Sequence, residues 1–231
     1  GRPEFACVGT NAMNPYNISR ATQGLVHHVK EYFAKQGRSG KPAVCLCHDT
    51  RFFSREFAEL AAKVITDLGC DAYLFEGPRS TPELSFAVRH VKAQAGINLT
   101  ASHNPPEYNG LKMMMGGKTL YGDDITGLYK AIVDPAFAGR LGANAPRRVT
   151  KRDVTAEYLA KILGDVKLSR PMKIAIDCGN GVAGALAPQL FKSLGCEVTE
   201  LFTEVDAKAA QQLLNSPTPP LLIDVREQNE W

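Results

Sequence analysis

Short apolar runs alternate with amphipathic stretches from about residue 19 to residue 203, and this alternation is what most limits the fold. Ala43–His48, residues 72–75 and Ala95–Leu99 are too short for helices and read as buried strands. Residues 19–36 carry Ala21, Leu25, Val29, Tyr32 and Phe33 at near-helical spacing, with Ser19 as the expected N-cap and Gly37 as the stop. Ser54 is the expected cap of the next helix, whose apolar face is Phe57, Leu60, Val64, Ile65 and Leu68 before Gly69. Thr81-Pro82-Glu83 starts a third helix, with a capping hydroxyl, proline at the first position and an acid in the first turn. Strand, turn, helix and strand in this order predict an α/β fold, with a mixed, largely parallel sheet sandwiched between helices.

Beyond residue 99 come a polar loop at 100–110 and a hairpin, 111–115 and 118–121 around Gly116-Gly117. A helix at 123–133 follows, then a Gly-, Ala-, Pro- and Arg-rich stretch at 134–150 that reads as a linker. A partial second α/β domain is expected after it: a helix near 154–164, a strand at 172–177, a glycine-rich turn, a helix at 182–194 and a strand at 196–203.

The formal charge of +3 creates no strong field for nucleic acid or an acidic membrane, so neither partner is expected. No apolar run reaches the roughly 18 residues of a membrane span. Residues 1–5 contain no signal-peptide core. The cysteines (Cys7, Cys45, Cys47, Cys70, Cys178 and Cys196) are scattered without a C-x-x-C pair, which suits a reduced, cytoplasmic protein. Cys45 and Cys47 share one strand face beside His48, which admits a metal site; two buried thiols acting as small hydrophobes are the favoured reading. His90 and the His27-His28 pair lie on helices and are expected to be plain structural or surface residues.

The segment after the third strand, Thr100-Ala101-Ser102-His103-Asn104-Pro105-Pro106-Glu107-Tyr108-Asn109-Gly110-Leu111-Lys112, is the most informative. Open α/β sheets place ligands beyond the carboxyl ends of their strands. The segment holds a hydroxyl nucleophile, an imidazole, an amide, two prolines that restrict the backbone and a downstream ammonium. A surface turn has a similar composition. The string resembles the phosphoserine loop of the α-D-phosphohexomutases, the phosphoglucomutase and phosphomannomutase family. Met13-Asn14-Pro15-Tyr16, Ala21-Thr22-Gln23-Gly24-Leu25, Asp49-Thr50-Arg51, Ser54-Arg55-Glu56-Phe57-Ala58 and Arg79-Ser80-Thr81-Pro82-Glu83-Leu84-Ser85-Phe86-Ala87 are similar to segments of the same family. The resemblance covers about residues 9–205.

It implies that Ser102 carries a phosphoryl group, gives it to a hexose or pentose phosphate and recovers one from the bisphosphate intermediate. It implies that His103 and Asn104 shape the loop and that Lys112 stabilises the transferring phosphate or moves a proton. Arg51 adds positive charge and Asn104 belongs to the phosphate-binding set. Mg²⁺ would meet Ser102 through its phosphate, and a sugar bisphosphate would act as activator. His103, following Ser102 on an extended segment, is expected to point away from it.

Three departures from the family pattern stand out. The sequence contains no DGDGDR string, the source of the metal aspartates. The sugar-recognition loop and the Arg- and Ser-rich phosphate-binding loop are missing, and residues 1–9 show no Gly-Thr-x-Gly-x-Arg-Gly loop. The isolated chain is therefore expected to be inactive as a mutase. A nucleotide-binding module is the alternative: Gly179-Asn180-Gly181-Val182-Ala183-Gly184 fits G-x-G-x-x-G between a strand and a helix, with Glu200 near the usual acidic position. The same turn also resembles the first turn of the mutases' second domain, where it binds no dinucleotide. Residues 206–231 weakly resemble the opening of a rhodanese domain, in a helix-like 207–214 and a strand-like 221–225. That makes a remnant of a rhodanese fusion a further alternative. The expected organisation is a phosphoserine-loop domain at 1–147, a partial second domain at 148–205 and a foreign tail at 206–231. The tail strand is expected to lack its natural partners.

Overall fold

The computed structural model describes residues 12–105, 108–133, 149–179 and 181–200, and the backbone of 221–224. The chain divides into two compact units, Gly1–Asp153 and Val154–Trp231.

The first unit is built on a six-stranded sheet of order β5-β4-β3-β1-β2-β6. Its strands are β1 (Ala43–His48), β2 (Asp71–Phe75), β3 (Ala95–Leu99), β4 (Leu111–Met115), β5 (Lys118–Thr119) and β6 (Val149–Arg152). β6, β2, β1 and β3 run parallel; β4 is antiparallel to β3, and β5 is antiparallel to β4. β1 and β3 are buried along their whole length, which is why they read as unbroken apolar runs. On one face, Val44, Leu46, Leu74, Ile97 and Leu99 form a core with residues of α1 (Pro15–Lys35) and α2 (Ser54–Asp67). On the other, α3 (Thr81–His90) packs against β1 and β3. A Cβ at Gly96 would stand 2.7 Å from Val88 Cγ2, so glycine there lets helix and strand touch. α4 (Asp123–Val133) packs on α1.

The elements match the expected ones closely, but their ends differ. Asn14, not Ser19, caps α1: its side chain accepts from Asn17 N at 2.9 Å, and Pro15 takes the first turn. Ser19 lies inside the helix and donates to Pro15 O at 2.7 Å. Proline at the first helical position fixes the start, because its missing N–H needs no partner there. Ser54 does not cap α2. Phe53 stands at the cap with φ +62° and no side-chain cap, and Ser54 Oγ turns instead to Asp49. In α3 the capping hydroxyl is that of Ser80, not Thr81. The supposed linker 134–150 ends inside β6, an exposed edge strand held by pairing with β2; residues 134–148 lie outside the described residues.

The second unit contains α5 (Thr155–Asp165), β7 (Lys173–Asp177), a 3₁₀ turn (Val182–Ala185), α6 (Ala187–Ser193), β8 (Glu197–Glu200) and β9 (Leu221–Asp224). The expected helix at 182–194 is thus two pieces. Pro188 sits in the first turn of α6, where its missing N–H is tolerated. Ile174, Ile176, Cys178 and Cys196 form its core. β9 corrects the expectation for the tail: it pairs parallel with β7, Ile174 opposite Leu221 and Asp177 opposite Asp224. The remaining residues of 206–231 lie outside the described residues.

Candidate active site

β1 and β3 are parallel neighbours, so their carboxyl ends release two loops side by side: 49–53 and 100–110. Asp49 N donates to Leu99 O at 3.1 Å, and Thr100 N donates to Gly110 O at 3.0 Å, closing the base of the second loop.

Arg51 joins the two loops. Its side chain is only 12% exposed and its Nε lies 3.2 Å from Asp49 Oδ2. Nη1 donates to Pro105 O at 2.6 Å and Nη2 to Asn104 O at 2.6 Å, with further bonds to the carbonyls of Ser102 and Tyr108. A guanidinium offers donors in a planar fork, which suits several carbonyls on a curved backbone. Asp49 Oδ1 accepts from Arg51 N and from Ser54 Oγ at 2.8 Å. Asn109, buried, donates from Nδ2 to Ser54 Oγ at 2.8 Å and to Phe52 O at 2.9 Å, and accepts from Gly110 N. Asn104 folds back, Nδ2 donating to Ala101 O at 2.9 Å. Sequence reasoning gave Asp49 and Asn109 no role and Ser54 only that of a helix cap, although all three stood in segments that carry the family resemblance.

Ser102 is half-buried and has φ +58°, the left-handed region that bulkier residues avoid. Its N–H donates to Thr100 Oγ1 at 3.0 Å. This turn corrects the expectation for His103: the backbone is not extended at Ser102, and His103 Nδ1 lies 3.4 Å from Ser102 Oγ. Lys112 is the second residue of β4, opposite Asn98 of β3, and partly buried. The loop closure that joins Thr100 to Gly110 places Lys112 at the same end of the sheet as Ser102.

Cys45 and Cys47 are buried, and burial pushes the Cys45 thiol up to about 12 and the Cys47 thiol well above its ordinary value. Alternation along β1 puts His48 on the opposite face, where its Nδ1 meets Asp49 O at 2.8 Å. Among the described residues no group of three or more His, Cys, Asp or Glu could hold a metal. Asp49, the acid of the first loop, is engaged by Arg51 and Ser54. His27 pairs with Glu31 at 3.2 Å and His90 stacks on Phe86, both away from the Ser102 loop in sequence and element.

In the glycine-rich turn, Gly179 N donates to Asp177 Oδ1, Gly181 N to Cys178 O and Gly184 N to Gly181 O. These amides are closed within the turn, and a 3₁₀ turn follows instead of an α-helix. A dinucleotide pyrophosphate needs such amides directed outward at an α-helix N-terminus.

The family model described as phosphoglucomutase/phosphomannomutase, alpha/beta/alpha domain I, matches residues 6–138. The phosphoglucomutase of Neisseria meningitidis is 44% identical over 173 residues, 75% of this chain and 37% of that protein. The phosphomannomutase/phosphoglucomutase of Pseudomonas aeruginosa is 37% identical over 167 residues, 72% of this chain and 35% of that protein. The crystal structure of a phosphoglucomutase/phosphomannomutase family protein from Burkholderia thailandensis superposes with a TM-score of 0.68 at 34% identity, covering 86% of this chain and 42% of that one. With a layered α/β sheet, a serine loop at its carboxyl edge and these likenesses, the chain belongs to the phosphoglucomutase/phosphomannomutase family. It spans less than half the length of the relatives it matches.

Proposed function

We propose that Ser102 is the phosphoryl carrier of a phosphosugar mutase acting on hexose or pentose phosphates, and that this chain holds the carrier half of the site. The observation that supports it is the fixed pose of Ser102: a left-handed residue whose own carbonyl and those around it are gripped by Arg51. A nucleophile held in one pose lowers the ordering needed to reach in-line geometry. In the transfer, a sugar hydroxyl oxygen forms the new P–O bond as the Ser102 Oγ–P bond breaks. The hydroxyl proton ends on Ser102 Oγ, relayed by Lys112 or His103. The return step reverses these changes from the other phosphate of the bisphosphate. Arg51 fixes the loop and adds positive charge at its base, and Asn104 keeps the turn after His103 closed. The first phosphoryl group comes from a sugar bisphosphate. The Mg²⁺ implied by the family would reach Ser102 through its phosphate and needs donors that the described residues do not supply. A cytoplasmic setting fits the substrates; among the described residues no helix is long and apolar enough to cross a membrane.

The test is intact-mass and peptide mass spectrometry of the chain and of Ser102→Ala after incubation with glucose 1,6-bisphosphate. Phosphorylation confined to Ser102 and absent from the variant is expected. Label on Ser54 or Ser85, or label that survives Ser102→Ala, overturns the assignment.

A further inference from the structure

Asn98 is 2% exposed, and half of its amide is unanswered. Nδ2 donates to Thr81 Oγ1 at 2.8 Å, at the start of α3. Oδ1 is buried and has no hydrogen-bond partner. A buried acceptor without a donor is costly, so a native core rarely keeps one unless something reaches it. Asn98 stands directly opposite Lys112 in the antiparallel β3–β4 ladder. Residues opposite one another in such a ladder share a face, with Cβ atoms about 5 Å apart. The Lys112 side chain has no hydrogen-bond or ion-pair partner among the described residues. One buried acceptor lacking a donor thus faces one partly buried ammonium lacking an acceptor, within the reach of a lysine stem.

We infer that Asn98 is a positioning residue: its Oδ1 receives the Lys112 ammonium and holds that side chain against the sheet, beside the Ser102 loop. With Nδ2 bonded to Thr81 Oγ1, the amide oxygen is the atom left for the ammonium. Lys112 is then parked at a neutral acceptor, from which an arriving phosphate dianion can draw it; a carboxylate in place of Asn98 would hold it more tightly. The purpose of this docking rests on the role proposed above for Lys112, but the docking itself does not.

Competitive acylation of the full 231-residue chain with trace acetic anhydride, read by peptide mass spectrometry, measures the docking. The reactivity of Lys112 is taken relative to the exposed Lys118 and Lys130. In the wild-type chain Lys112 should be the least reactive of the three. Asn98→Leu should raise its relative reactivity several-fold, and Asn98→Asp should lower it below wild type. A substitution that merely loosened the fold would raise it in both variants, so the opposite signs separate docking from destabilisation. Unchanged reactivity in Asn98→Leu, or a rise in Asn98→Asp, overturns the inference. If Asn98→Leu fails to fold, the Asn98→Asp direction and the wild-type ranking decide. A crystal structure with water on Asn98 Oδ1 and Lys112 elsewhere also overturns it. Should Ser102 accept no phosphoryl group while Lys112 follows this pattern, the docking stands and the mutase assignment falls.

Discussion

Ser102 Oγ and His103 Nδ1 lie 3.4 Å apart because the chain turns left-handed at Ser102, with φ +58°. A side chain in that region costs about 1 kcal/mol relative to glycine, which adopts it freely. Ser102→Gly should therefore be more stable than Ser102→Ala by about 1 kcal/mol in urea denaturation. Equal stabilities would show that the left-handed turn is absent in solution.

Arg51→Ala should release the loop. Its guanidinium holds four carbonyls of residues 102–108, and hydrogen bonds to charged groups contribute roughly 1.5–3 kcal/mol each when isolated, though not additively. A net loss of about 2–4 kcal/mol is expected, with faster amide exchange at residues 100–105 than at 43–48. Arg51→Lys should recover little, because an ammonium cannot present a planar fork. Full recovery by lysine would reduce Arg51 to a point charge.

The strands and the order of helices were legible because β1, β2 and β3 are apolar runs with glycine or proline punctuation. The helix starts were less so. Asn14 and Ser19, or Ser80 and Thr81, offer equivalent capping atoms in sequence, and only the backbone angles and the N–H they face decide between them. β6 carries no apolar run at all; Val149, Thr150, Lys151 and Arg152 are exposed, and pairing to β2 alone makes them a strand. In the site, the string around Ser102 marked the loop. The grip of Arg51 left no mark, since its partners are carbonyls that every residue possesses.

Gly96→Ala should strain the contact between α3 and β3. The added carbon would meet Val88 Cγ2 at 2.7 Å and Leu84 Cδ1 at 3.2 Å, and a core overpacked in this way typically loses about 1–3 kcal/mol. Thermal denaturation checks this, and Val88→Ala should recover part of the loss in the double variant.

Alkaline conditions should destabilise the first unit through its buried thiols. Burial, opposed weakly by Arg152, raises Cys45 from 9.0 to about 12, and burial raises Cys70 to about 11. The unfolded chain releases these protons near 9, while the folded chain keeps them. Unfolding therefore releases protons between pH 9 and 11, and stability falls as pH rises through that window. Melting temperatures across the window should fall less steeply in Cys45→Ala than in the wild-type chain. Parallel slopes would place the alkaline loss elsewhere.

The turn at Gly179 should not take up NAD or NADP, its amides being closed on Asp177, Cys178 and Gly181. Titration calorimetry with both dinucleotides should show no heat above dilution. Micromolar binding would restore the nucleotide-binding alternative.

The antiparallel return of β4 beside β3 also bears on the order of assembly. Ser102 lies in the short loop, closed at Thr100 and Gly110, that joins β3 to β4, and Lys112 is the second residue of β4. Closing a loop of that size takes on the order of 10–100 ns. Arg51 arrives from 51 residues away, after β1 has found β3. Ser102 and Lys112 can thus approach each other through local contacts, whereas the bonds from Arg51 need the long-range pairing of β1 with β3. The local half of the loop's geometry is therefore set by ten residues of chain, and its fixed pose by a contact of much higher sequence separation.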